Sequence, residues 1–83
     1  MSTGIVIAFN PLRGYILIQT EQGEFVLFEL LDSISIAMGD KLAGNLGALG
    51  RETLTHLGQN TRFAAYGQTG PSGLAACKKI FSD

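Results

Sequence analysis

Residues 5–9 and 15–18 form two apolar runs joined by Asn10-Pro11-Leu12-Arg13-Gly14, with almost no polar side chain inside either run. A hairpin packed on one side alternates apolar with polar residues, because successive side chains point to opposite faces. Here both faces are apolar, so any fold the chain adopts must cover this hairpin twice. The flanking β-branched and aromatic residues suit a pleated surface. Pro11 presets φ and Gly14 accepts a positive φ, which makes the connection a turn.

The same reading continues along the chain. Strand one is expected over residues 4–9, strand two over 15–20 and strand three over 25–28, with Gly23 at the tight point between the last two. The middle stretch carries Gly39, Gly44, Gly47, Gly50 and Gly58. Each interior glycine costs a helix about 1 kcal/mol relative to alanine, so a long helix is not expected there. A hairpin with strands near 41–46 and 52–57 is expected instead, with a short helix over 51–57 as the alternative. In "TRFAAYG", Phe63 and Ala65 share one face and Arg62, Ala64 and Tyr66 the other. "QTGPSG" reads as a turn, and residues 74–80 as a last strand. Two alternations fit equally well near Ala75-Ala76-Cys77, and a slip between them would exchange core and surface.

Composition bounds the function classes. The chain has 83 residues, 46% hydrophobic and 16% charged, with a net charge of −1. That argues for one folded domain over 1–83 and against disorder. A chain with this balance has no global positive field to draw it onto nucleic acid or an anionic membrane, so a nucleic-acid site would be a local patch. The opening residues lack a basic region, and no apolar stretch approaches the roughly 20 residues that span a bilayer. A soluble, cytoplasmic protein that does not contact a membrane is the expectation. The single Cys77 forms no internal disulfide and reads as a small buried hydrophobe. No Cys/His cluster has metal-ligand spacing, and no nucleophile with its base or pair of carboxylates can be assembled, so neither a cofactor nor an enzyme is expected. His56, the only histidine, reads as an ordinary polar or half-buried residue. The glycines of "GNLGALGR" lack phosphate-loop spacing and read as turn residues.

At this level the chain resembles the cold-shock domain, a five-stranded OB-fold. "TGIVIAFNPLRGYILI" is similar to that family's opening and first RNA-binding motif, "EFVLF" to its second, and "RFAAYGQTGPSGLAACKKI" to its last hairpin. Residues 31–60 do not match. The resemblance implies an all-β, OB-like five-stranded barrel with an inserted hairpin or short helix before strand four. It also implies single-stranded RNA or DNA as ligand on the outer face of strands one to three, with Phe9, Arg13, Tyr15 and Phe25 as the contact residues. The carry-over is incomplete. The family's opening aromatic pair is Ala8 and Phe9 here, a commonly basic position is Ile7, the first motif's aromatics are Tyr15 and Leu17, and its histidine position is Leu27.

A base stacked on an aromatic ring contributes roughly 1–3 kcal/mol, which leucine and alanine cannot replace. The alternative is therefore a protein-interaction or homo-oligomerisation module in which Ile7, Leu17, Phe25 and Leu27 bury against another chain. Such a contiguous apolar patch is seldom left exposed. A second subunit, a protein partner, the middle segment or a base is expected to cover it.

Overall fold

The computed structural model describes residues 2–70 and 74–81. Six strands precede one helix: β1 (Ser2–Asn10), β2 (Tyr15–Thr20), β3 (Phe25–Leu30), β4 (Lys41–Gly44), β5 (Gly50–His56), β6 (Thr61–Gly67) and α1 (Leu74–Phe81). The strands close into an antiparallel barrel in the order β1-β2-β3-β6-β5-β4. Among the described residues each strand has a hydrogen-bonded neighbour on both sides, which shields edges that would otherwise recruit another chain.

The fold is all-β, as expected, but it has six staves rather than five. The middle hairpin is not an insertion beside the barrel: β4 pairs with β1 and β5 with β6, so the barrel closes through it. The helical alternative over 51–57 is not adopted, because Leu54 and His56 point inward while Arg51 and Thr53 are exposed, which is a strand period. The expected last strand over 74–80 is a helix, α1. The Pro71-Ser72-Gly73 part of the expected turn lies outside the described residues.

Alternation fills the interior. Val6, Ile16, Ile18, Val26, Phe28, Leu42, Leu54, Phe63 and Ala65 form one buried cluster. Strand β1 departs from strict alternation at a bulge between Val6 and Ala8, where Val6 faces Ile18 but Ala8 faces Leu17. A bulge inserts one residue opposite none, so two consecutive side chains land on the same face. Ile7 and Ala8 both pack outside, and Phe9 returns to the main core. The core is completed at its two ends by loop residues, Ile36 from the β3–β4 connection and Leu46 from the β4–β5 connection.

Two local devices hold those connections. A Cβ at Gly67 would overlap the carbonyl oxygen of Ala48, so the β4–β5 loop lies directly on β6 only because that position is bare. In the other connection Asp40 Oδ2 accepts from Ala37 N–H at 2.8 Å and from His56 Nε2 at 2.8 Å. His56 is buried, and its Nδ1 accepts from Gln59 N–H at 3.0 Å. With Nδ1 an acceptor, the proton sits on Nε2, and the neutral ring satisfies both partners. The hydrogen bond from His56, followed by that from Ala37, holds the Asp40 carboxyl below its ordinary value of 3.8.

Gly67→Ala should destabilise the barrel by about 1–3 kcal/mol through overpacking. A urea melt checks this, and an unchanged midpoint would contradict the contact. Asp40→Ala should cost about 1–3 kcal/mol near neutrality by leaving the buried His56 Nε2–H without an acceptor. A carboxyl whose folded pKa is depressed stabilises above its unfolded value and loses that contribution as pH falls through the folded one. The gap between wild type and Asp40→Ala should therefore be full at neutral pH and close progressively below pH 3.8. Urea melts at a series of pH values measure it.

Candidate nucleic-acid interface

The outer face of β1–β3 is covered from within the chain. Leu17 and Leu27 are buried beneath α1 with Cys77, and Ile7, Ala8, Tyr15, Phe25 and Phe81 pack around them as a second cluster. Cys77 and Phe81 lie four residues apart and so share one helical face, while Lys78 and Lys79 are exposed. Side-chain hydrogen bonds fix the docking. Asn10 Nδ2 donates to the Phe81 carbonyl at 2.8 Å, which satisfies one of the acceptors a helix end leaves open. At the other end Thr69 Oγ1 accepts from Leu27 N–H at 3.2 Å and lies 3.6 Å from Cys77 Sγ. Lys78 and Lys79 fall in the last turn, where positive charge complements the helix dipole.

The expected contact residues are therefore dispersed. Phe9 packs against the barrel core. Phe25 and Tyr15 are half-buried at the margin of the second cluster. Arg13 stands exposed in the β1–β2 turn. Of the expected interface residues, Leu17 and Leu27 are 2% and 0% exposed, and Ile7 and Phe25 are half-buried against the same cluster. The cover over this patch is α1, not the middle segment.

The strand register brings a different set together. Tyr15 pairs with Glu29, Glu29 with Tyr66, and Tyr66 with Arg51. Four outward side chains thus form one row across β2, β3, β6 and β5. Strands stand about 4.8 Å apart, so the two tyrosines are separated by about 10 Å with Glu29 between them. Tyr66 is 45% exposed, and Glu29 Oε1 accepts from Gln68 Nε2 at 3.2 Å. Among the described residues no lysine or arginine is ion-paired, which leaves Arg51 and Arg13 uncommitted.

The period of "TRFAAYG" already puts Tyr66 on the outer face, but nothing in one strand reveals that Tyr15, Glu29 and Arg51 lie in line with it. Among the described residues, no three His, Cys, Asp or Glu side chains converge as a metal site, and no helix is long and apolar enough to cross a membrane.

Fold and surface together define a six-stranded closed antiparallel barrel with one outer face capped by its own helix. No family model, curated protein or solved structure matches the chain.

Docking of α1 can be read through Cys77, whose thiol is buried under the helix. It should react slowly with an aromatic disulfide reagent in the native protein. Asn10→Ala, which removes about 1 kcal/mol of hydrogen bonding, should accelerate that reaction about fivefold through local opening. Equal rates in the two proteins would mean the Asn10 bond does not hold the helix.

Proposed function

We propose that this protein is a small, non-enzymatic module that binds single-stranded nucleic acid along the row Tyr15–Glu29–Tyr66–Arg51, with Arg13 at its edge. The observation that carries this reading is the cross-strand register, which sets two aromatic side chains in line with a carboxylate and an uncommitted arginine. Each ring offers a π-face on which any base can stack. The guanidinium of Arg51 suits a phosphate oxygen pair. A carboxylate between the rings accepts from the exocyclic amino group of a base, so Glu29 favours amino-bearing bases over uracil or thymine.

Charge is distributed in keeping with this. Glu21 and Glu24 sit in or beside the β2–β3 turn, at the far end of those strands from Tyr15 and Glu29. The resemblance of the opening strands to a cold-shock domain supports the same ligand class. On this reading the barrel is an OB-like one enlarged by a sixth stave, and the site has moved along the surface from the helix-capped face towards β6. The protein-interaction alternative rests on an apolar patch that α1 already covers.

Fluorescence anisotropy with labelled mixed-sequence single-stranded RNA and DNA tests the proposal. Tyr66→Ala should weaken binding about tenfold to a hundredfold, the worth of one stacked base. Arg51→Gln should weaken it and flatten the salt dependence by about 0.7 in slope, the loss of one phosphate contact. Glu29→Gln should narrow the difference between cytosine-rich and uracil-rich strands. Binding unchanged by Tyr66→Ala, or insensitive to salt, would remove this row as the site.

A further inference from the structure

A second concave surface lies at the end of the barrel where β6 begins, apart from the tyrosine row. It is a cleft of about 500 Å³ between the β3–β4 connection and the β5–β6 turn. Its walls carry Asp32, Ser33, Ser35, Thr61 and Arg62, with Phe63 behind them. Small-molecule sites commonly fall in the range of roughly 300–1,000 Å³.

The cleft is held open by hydrogen bonds on both sides. Asp32 Oδ2 accepts from Ala64 N–H at 2.7 Å, and Leu31 N–H donates to the Ala64 carbonyl at 3.0 Å. Across from them Gln59 Nε2 donates to the Ser35 carbonyl at 2.9 Å. The loop is therefore stitched to β6 at one edge and to the β5–β6 turn at the other, with the space between them preformed. A preformed site spares the ligand the cost of ordering its walls.

The donor set is specific. Arg62 has no ion-pair partner among the described residues and offers a planar fork that fits phosphate oxygens. Asp32 uses Oδ2 on the backbone, which leaves Oδ1 available to accept from a ligand hydroxyl. Thr61 donates to the Gln59 carbonyl at 3.1 Å, so its oxygen is left as an acceptor. The Ser33 and Ser35 hydroxyls can donate or accept. One fork for an anion, one carboxylate oxygen and three hydroxyls match a ligand that joins a phosphate to a diol.

We infer that this cleft binds a ribose-phosphate group, supplied either by a free mononucleotide or by the terminal nucleotide of a strand. Arg62 holds the phosphate, and Asp32 accepts from the ribose hydroxyls. This site uses none of the residues of the tyrosine row, so its test is independent of that reading.

The test is an amide-resolved NMR titration of the whole protein with ribose 5-phosphate, ribose and inorganic phosphate, each to about 10 mM, a range that detects millimolar affinity. Ribose 5-phosphate should shift Ser33, Ser35, Thr61 and Arg62 together, and more strongly than either fragment. Arg62→Gln should weaken that response about tenfold. Asp32→Asn, which keeps an oxygen for Ala64 N–H, should weaken ribose 5-phosphate but not inorganic phosphate. Adenosine monophosphate and a 5′-phosphorylated dinucleotide then separate the two sources: equal affinity assigns a free mononucleotide, and tighter dinucleotide binding assigns a strand end. Absence of a localised shift, or a response that Arg62→Gln leaves unchanged, overturns the assignment.

Discussion

The centres of strands β2 and β3 are buried on both faces, and the rest of the molecule is arranged around that constraint. Their inward side chains, Ile16, Ile18, Val26 and Phe28, are fully buried in the barrel. Their outward ones, Leu17 and Leu27, are as completely covered by α1. Most antiparallel sheets leave one face to water. A chain of this size gains from doing otherwise, because burying a second face adds apolar area without adding strands. The bulge at Ile7 serves the same end, since it turns Ile7 and Ala8 together towards the second cluster and frees Phe9 for the first.

That arrangement decides which outward side chains stay accessible. The face of β1–β3 holds the aromatic positions expected to stack bases, but the helix occupies it. Its margins, at Ile7, Tyr15 and Phe25, remain half-open. From Tyr15 the outward row continues over β3 onto β6 and β5, past the reach of α1, to Tyr66 and Arg51. Strand β6 therefore extends the accessible surface: it supplies an exposed aromatic, Tyr66, where the capped strands cannot.

The first three strands and the middle hairpin were legible because their signals are local. Apolar alternation, a Pro/Gly turn and closely spaced glycines mark them within a few residues. The pairing of β4 with β1 was not, because partners from Ser2 to Gly44 meet across the whole first meander and no nearby residue specifies it. The helix is hidden in the sequence for a different reason. Leu74, Cys77 and Phe81 recur at helical spacing, but eight residues are too few to declare the period, and the resemblance to a terminal hairpin favoured a strand. The two strand alternations that fit Ala75-Ala76-Cys77 equally well were themselves a sign that the period is not two. Of the candidate site, Arg13 and Tyr15 were legible from the first hairpin. Glu29, Tyr66 and Arg51 become partners only through register, which a single sequence does not display.

Where the ladders end, side chains take over the work of order. In the β3–β4 connection and the β5–β6 turn the chain leaves the ladders, and the side chains of Asp32, Asp40, Gln59 and His56 meet backbone groups of these segments or of the adjoining β6. These contacts form a connected set: Asp40 bonds His56, His56 accepts from the Gln59 backbone, and the Gln59 side chain reaches Ser35. The buried histidine is thus tied through Gln59 to one wall of the polar cleft. A network whose members are all satisfied rigidifies its surroundings, whereas a half-satisfied one destabilises them. No described buried side-chain nitrogen or oxygen lacks a partner. The end of the barrel that a sheet could not organise is held by polar contacts instead, and that is why a cleft of fixed shape can persist between two loops.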